Sequence, residues 1–351
     1  MLFALSGTST LRTEINSDFA REGPIMTTNH ARPCLLSAAM ALLSAACFSS
    51  STTGSSGGGG GSTTGTSATG SGGSAACQPA LLVGAVFVGA GWQMAALDPA
   101  TGAVTSLSAM PTVMGFTQGG SAYDPATKRL YLIGADVTSD YTLFTIDGPT
   151  GATLATVKVP DYSVTNPEVV SGGAIVVLHQ PGGTWRTATL DAALGTVASL
   201  SAPIAQDGFN VNRGFDPRTN LLYELGSRDG KNRVLTINGA TGMLLLDVPM
   251  VDINFDSPIV NGAGQILGMH QVGFDWNVAH LDPMTGVITN LAPISVGGIY
   301  SGMGTFDPCT NHVYQLTTDG VLTVDGTSGA VISLVPLPGA QANFANIEAV
   351  W

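Results

Sequence analysis

Two histidines of this 351-residue sequence each end an apolar run and precede a glutamine. They are His179, in IVVLHQ, and His270, in ILGMHQ, and the repeats described below place them at the same position of alternate units. An imidazole nitrogen can bind a metal ion or exchange a proton near neutral pH. Two that meet on a central channel can therefore form a metal site or an acid–base pair. The alternative is shared ancestry of alternate repeats, with each histidine ending a strand in a local hydrogen bond.

Carboxylates cluster in the loops near the two histidines. They are Asp136, Asp140, Asp161, Asp207, Asp229, Asp252, Asp256 and Asp275. Oxygen-rich loops can hold Ca²⁺, but no stretch has the spacing of a known calcium loop. The candidate metal ligands are His179, His270, Asp136, Asp229 and Asp275. A solvated acidic rim is the favoured interpretation, calcium is the alternative, and no cofactor is predicted.

Aromatic residues offer a second kind of contact in this region. They are Tyr162, Phe209, Phe274 and Tyr300. Each can contact a sugar or a peptide, or can instead fill the wedge between neighbouring repeats. His280 and His312 lie within predicted strands, which favours structural roles for them.

Four short apolar runs, separated by turn residues, recur along residues 77–351. The last turn of each unit reads LDPATG, IDGPTG, LDAALG, INGATG, LDPMTG or VDGTSG, and its final glycines are Gly102, Gly151, Gly195, Gly242, Gly286 and Gly329. A glycine there suits the positive φ of a tight hairpin. Four strands in a period of about 40–50 residues are typical of a propeller blade. The sequence therefore predicts an all-β fold, a six-bladed β-propeller of four-stranded antiparallel blades.

Both ends of the repeat region support a closed ring. The first unit begins with its second strand, residues 81–88, and lacks an inner one, whereas the apolar residues 347–351 follow the sixth unit. Pairing the two would complete one blade and protect open strand edges. Cys77 and Cys309 then fall on the same face of adjacent blades, which predicts a disulfide bond between them, with two free thiols as the alternative.

The inner strands of three units end in related turns, DPATK, DPRTN and DPCTN, and are followed by LYLI, LYEL and VYQL. Over residues 77–351 this pattern resembles the YVTN-type and quinoprotein-like propeller repeats. The resemblance implies the fold but no particular activity, because that superfamily mixes enzymes with binding and scaffold proteins. Its motif residues form turns, so no catalytic residue carries over.

The first 76 residues predict export. Residues 1–25 fit no signal or strand pattern, so we expect Met26 to be the natural start. Residues 26–47 predict a signal peptide, and its LSAAC end resembles a bacterial lipobox with Ser44 in place of the preferred leucine. This predicts lipidation of Cys47, with ordinary signal cleavage as the alternative. Residues 48–76, rich in Ser, Thr and Gly, predict a flexible linker with a reach of about 25–30 Å.

Charge and motifs narrow the functional classes. The net charge is −12 and no Lys or Arg follows Arg233, which argues against nucleic acid as a partner. No apolar run reaches about 18 residues, so we expect membrane contact through the lipid anchor only. Common hydrolase, phosphate-loop and dinucleotide motifs are missing from the sequence.

The favoured functional interpretation is an exported, non-catalytic binding or scaffold module of the bacterial cell envelope, anchored to the outer membrane or extracellular. Its ligand would be a protein, a peptide or a carbohydrate on the face formed by the loops after each second strand. These loops are residues 134–140, 179–184, 226–232 and 270–275. The alternative is a lyase or hydrolase acting on sugars or lactones, with His179 and His270 at the mouth of the channel.

Replacing the predicted lipid-attachment residue tests the anchor. If Cys47 is acylated, Cys47→Ser should release the protein from the membrane fraction, because the diacyl anchor is lost. Mass spectrometry of the wild-type protein should show a lipidated mature N-terminus. Unchanged fractionation of the variant, together with an unmodified N-terminus, would remove the lipoprotein assignment.

Overall fold

The apolar runs of each repeat pair in order to form antiparallel sheets. The structure, a computed structural model, describes residues 79–89, 91–135, 140–160, 163–252, 254–337 and 344–351. All of them belong to the unit Ser71–Trp351. The predicted signal peptide, the lipidation residue Cys47 and the linker at 48–76 lie outside the described residues. Within the described ranges, no helix has the length and apolar character needed to cross a membrane.

The described residues form 24 strands and one short 3-10 helix, Pro181–Gly183. The first twelve strands are β1 (Leu81–Val88), β2 (Gly91–Leu97), β3 (Val104–Ala109), β4 (Gly115–Asp124), β5 (Arg129–Ala135), β6 (Tyr141–Asp147), β7 (Thr153–Val159), β8 (Val164–Val169), β9 (Ile175–His179), β10 (Arg186–Leu190), β11 (Val197–Ser199) and β12 (Gly208–Asp216). The remaining strands are β13 (Leu221–Arg228), β14 (Lys231–Asn238), β15 (Leu244–Pro249), β16 (Phe255–Val260), β17 (Ile266–Val272), β18 (Asp275–Leu281), β19 (Ile288–Ile294), β20 (Ile299–Asp307), β21 (His312–Thr317), β22 (Gly320–Asp325), β23 (Val331–Val335) and β24 (Glu348–Val350).

These strands form six four-stranded sheets, which are the blades of a propeller. Blade 1 has the order β24-β1-β2-β3, and blades 2 to 6 each use four consecutive strands, from β4–β7 to β20–β23. We call the four strands of a blade A to D from the channel outwards. The predicted six-bladed β-propeller is confirmed.

The position of a strand within its blade explains its burial. Strands B and C of blade 2, β5 and β6, are buried along almost their whole length, whereas strand D, β7, is mostly exposed. Each blade is covered on both sides by its neighbours, so its middle strands have no face left for solvent. A strand buried on both faces reads as a continuous apolar run.

The hydrophobic core lies between neighbouring blades. Six buried clusters occupy the six interfaces of the ring. At the interface of blades 1 and 6, for example, Leu82 and Leu97 belong to the same cluster as Tyr314 and Val321. No blade has a core of its own, so the stability of each blade depends on both neighbours.

Turn chemistry fixes the register of each blade. In the first C–D turn, Asp98 accepts hydrogen bonds from the Ala100 N–H at 2.9 Å and the Thr101 hydroxyl at 2.7 Å. The turn ends at Gly102, with φ of 70°. The equivalent glycines of all six blades have φ between 67° and 71°. The positive φ predicted for these glycines is confirmed.

The C-terminal strand closes the ring, as predicted. Strand β24 pairs antiparallel with β1, placing Ala349 opposite Leu82. The Tyr123 hydroxyl of blade 2 donates to the Trp351 carbonyl at 2.8 Å. Gly84 allows the last segment to approach, since a Cβ at this position would lie 2.1 Å from the Asn346 carbonyl oxygen.

A disulfide bond also involves blade 6. Cys309, in its A–B turn, is disulfide-bonded. The predicted partner, Cys77, lies outside the described residues, so the pairing stays a prediction. Ala80, just before β1, donates its N–H to Asp307 Oδ2 at 3.0 Å. The start of the ring therefore contacts the same turn that carries Cys309.

Removing the closing segment tests the ring. Deletion of residues 344–351 should lower the melting temperature strongly, because Phe344, Ile347 and Val350 are buried and each contributes about 1.5–3 kcal/mol. Tyr123→Phe is the control: it removes only the hydrogen bond to Trp351 and should cost about 0.5–1.5 kcal/mol. A truncated protein that melts like the wild type would show that the ring does not depend on β24.

Candidate functional site

The two histidines lie near the ends of equivalent B strands, in blades 3 and 5. His179 and His270 are each 6% exposed. His270 Nδ1 lies 2.6 Å from Asn290 Oδ1, and its Nε2 lies 3.2 Å from Asp252 Oδ2. Asn290 belongs to blade 5 and Asp252 to the segment that enters it. These contacts of His270 are local, and a site shared with His179 stays a prediction.

The loop residues singled out from the sequence have different surroundings. Asp136, Asp161 and Tyr162 lie outside the described residues. Phe274 is 96% exposed, whereas Phe209 packs against Trp185 with a ring-centroid distance of 5.0 Å.

The remaining candidate metal ligands take part in turns and strand ends. Asp229 has φ of 53° and donates its N–H to Asp207 Oδ2 at 2.7 Å, while Asp275 begins β18. In the part of the chain that the structure describes, no three His, Cys, Asp or Glu side chains are grouped so as to hold a metal ion.

A cavity of about 620 Å³ occupies the centre of the ring. The A strands of all six blades line it, and it extends to the A–B turns at residues 123–127, 171–173, 216–218, 261–262 and 308. This is the face opposite the B–C loops, where the sequence placed the ligand. Five of the inner strands contain a register shift, namely β4, β8, β12, β16 and β20. In each of them, cavity-lining residues come after the shift in the sequence. Such bulges re-aim side chains beside functional sites.

A buried ion pair contributes to the wall of the cavity through Arg213. Arg213 Nε donates to Glu224 Oε1, and the two side chains are only 3% and 0% exposed. Arg213 Nη1 donates to the Val176 carbonyl at 2.8 Å, and Asn166 Nδ2 donates to Glu224 Oε2 at 3.0 Å. Burial raises the pKa of Glu224, while Arg213 and Asn166 oppose this shift. The pair is satisfied largely within the protein, as a buried ion pair requires.

Two glutamates line the cavity. Glu168 and Glu348 occupy equivalent positions on the A strands of blades 3 and 1, opposite Val176 and Val83 of the adjacent B strands. In blade 5 the equivalent residue is Ile259. Two of the three odd-numbered blades therefore place a carboxyl group in the cavity, where the third has an apolar side chain.

Burial changes the protonation of both carboxyl groups. It raises the pKa of Glu168 to about 8; Arg213 opposes the shift, and the charges of Glu348 and Glu224 add to it. Burial likewise raises the pKa of Glu348 to about 7, against hydrogen bonds from Ser121 and Thr305. The Ser121 hydroxyl donates to Glu348 Oε1 at 2.7 Å. Both groups therefore exchange protons near neutral pH, as functional carboxyl groups often do.

Sequence patterns did not single out Glu168, Arg213 and Glu348, which line the cavity, or Glu224, which pairs with Arg213. The sequence carried a signal for Glu224, which is a charge inside an apolar strand of a chain with only 10% charged residues. The B strand of blade 4 reads LLYELG where blade 2 has RLYLIG, so Glu224 replaces Leu132. A charge in a strand that is covered on both faces requires a buried partner or a cavity.

No protein-family model and no curated protein matches the sequence. Among solved structures, the chain is similar to TolB from Acinetobacter baumannii, with 14% identity and a TM-score of 0.54 over 77% of this chain and 66% of that one. It is similar to a chain of the nidogen/laminin complex, with 13% identity and a TM-score of 0.54 over 78% and 99%. A protein from Lactobacillus plantarum gives 13% identity and a TM-score of 0.50 over 77% and 99%. At these identities the similarity shows the β-propeller fold alone.

The pH dependence of unfolding tests the burial of Glu168. Its pKa rises from a usual value of 4.5 to about 8 on folding, so the folded state holds a proton that the unfolded state releases. The free energy of unfolding should therefore fall as the pH rises through this window and level off above it.

Glu168→Gln should remove part of that slope. Relative to the wild type, it should gain on the order of 1–2 kcal/mol in stability between pH 5 and pH 9, allowing for partial exposure to the cavity. Urea denaturation at several pH values measures this difference. Parallel pH profiles for the two proteins would contradict the buried, protonated carboxyl group.

Proposed function

We propose that this chain is an exported, lipid-anchored propeller of the bacterial cell envelope that acts as a non-catalytic binding module. The observation that carries the proposal is the central cavity, with its charged wall and its mouth among the A–B turns. Its volume of about 620 Å³ is in the range of small-molecule sites. The relation to YVTN-type and quinoprotein-like repeats is part of this proposal.

Hydrogen bonds within the A–B turns fix the backbone at the mouth of the cavity. Asp124, Asp216 and Asp307, at the starts of three A–B turns, are each at most 5% exposed. Each accepts hydrogen bonds from the backbone two residues on and from the threonine hydroxyl three residues on. Because these turns are already ordered, ligand binding there costs little loop entropy, which favours affinity.

Export and anchoring suit a binding role at a surface. The predicted linker, with its reach of about 25–30 Å, would hold the ring clear of the membrane and leave its faces accessible. One structure of similar fold is a nidogen/laminin complex, so a propeller can serve as one partner of a protein complex. For this chain the candidate ligands are a protein, a peptide or a carbohydrate.

The second candidate function is catalysis at the mouth of the channel. Glu168 and Glu348, with pKa values of about 8 and about 7, have the proton affinity of general acids at neutral pH. Local contacts of His270 with Asn290 and Asp252 give the predicted His179–His270 pair less support than the carboxyl groups.

Ligand binding without turnover tests the proposed function. The purified protein should gain thermal stability from a member of a panel of small sugars and peptides, because a ligand that binds only the folded state stabilises it. Mass spectrometry should recover that ligand unchanged after prolonged incubation. Conversion of the ligand by wild type and not by Glu168→Gln would contradict a non-catalytic role and favour the second candidate.

A further inference from the structure

Two carboxyl groups of the cavity lie outside its ion pairs. Among the described residues, no ion pair involves Glu168 or Glu348: Arg213, whose charge acts on Glu168, is paired with Glu224, and Arg218 is paired with Asp216. Since no Lys or Arg follows Arg233, the walls from blades 5 and 6 and strand β24 contribute no cationic side chain. Ionising two neighbouring, largely buried carboxyl groups is costly unless a positive charge is supplied, and in the free protein protonation avoids that cost. A ligand with an ammonium group would supply that charge.

Arg213, which lines the same cavity, has an N–H group without a hydrogen-bond acceptor among the described residues. Its Nη2 is buried and has no hydrogen-bond partner among the described residues, although the side chain is only 3% exposed. A guanidinium N–H in that position needs an oxygen acceptor. A ligand oxygen placed beside Arg213 would supply it.

The mouth of the cavity adds an aromatic surface. Trp351 lines the cavity, is 41% exposed and packs edge-on against Tyr123 at a ring-centroid distance of 5.2 Å. The Tyr123 hydroxyl is held by the Trp351 carbonyl, which fixes the ring. A rigid, half-exposed indole offers a flat apolar face to the C–H groups of a sugar ring.

We propose that the central cavity binds an amino sugar. Its ammonium group is held by Glu168 and Glu348, its hydroxyl oxygens accept from Arg213, and its ring packs against Trp351. This inference deepens the proposed binding function and rests on it. Binding of the cation favours the ionised carboxylates, so protons leave the site when the ligand enters.

Three sugars that differ only in one ring substituent can show whether the site recognises the ammonium charge or the sugar ring. Glucosamine carries the ammonium group, N-acetylglucosamine has the same nitrogen without its charge, and glucose has a hydroxyl there. Calorimetric titration of the full chain should show glucosamine binding at least tenfold more tightly than the other two. Repeating the titration in buffers of different ionisation enthalpy should reveal proton release. Equal binding of N-acetylglucosamine, or no binding of glucosamine, would overturn the proposal.

Isosteric variants assign the recognition to the two carboxyl groups. Glu168→Gln and Glu348→Gln should each weaken glucosamine binding at least tenfold and reduce proton release. The control is Asp325→Asn in an outer C–D turn, where the equivalent Asn238 of blade 4 accepts the same turn hydrogen bonds. It replaces a carboxylate by an amide away from the cavity and should leave the affinity unchanged.

The outcomes separate this proposal from the broader one. Unaltered affinity in both glutamine variants, with the fold confirmed by melting, would overturn the amino-sugar site. If another ligand raises the melting temperature and glucosamine does not, the amino-sugar site is overturned, whereas the proposed binding function is retained. Turnover of bound glucosamine would instead contradict the non-catalytic function.

Discussion

Closure of the ring by β24 is the constraint on which the rest of the structure depends. Its three residues pair with β1 and complete the blade that the N-terminal part of the repeat region leaves open. The clusters on both sides of blade 1 contain residues of this segment, Ile347 and Ala349 on one side and Val350 on the other. The same strand carries Glu348 into the cavity. The fold and the candidate site are therefore completed by one pairing event.

The ring consists of three similar pairs of blades, and the site lies where the pairs differ. Even blades repeat the Asp-Pro turns, whereas odd blades share the position held by Glu348, Glu168 and Ile259. In the even blades, Glu224 stands where blade 2 has Leu132. Turns and interface residues must be kept for each blade to pack. Side chains that face the cavity do not pack between blades. They can therefore differ from blade to blade, and some of them can be charged.

The fold could be predicted from the sequence because its determinants are local. A turn such as DPRTN or INGATG acts through an Asp or Asn side chain and a glycine φ, all within a few residues. The cavity could not be predicted in the same way, since Glu168, Arg213 and Glu348 are far apart in sequence and meet only in the closed ring. The reactive residue types near the loops, His179 and His270, lie on the opposite face, where the B–C loops are. Glu224, a charge inside the apolar strand β13, indicates a buried partner, which is Arg213, but not the cavity beside it.

Direct titration of the cavity carboxyl groups shows whether the closed ring holds two proton-exchanging glutamates in its channel. Carbon-13 NMR of protein labelled at the glutamate carboxyl carbons follows each group, and Glu168→Gln and Glu348→Gln assign the signals. We expect midpoints at about 8 for Glu168 and about 7 for Glu348. Midpoints for both groups near the usual glutamate value of 4.5 would contradict this expectation.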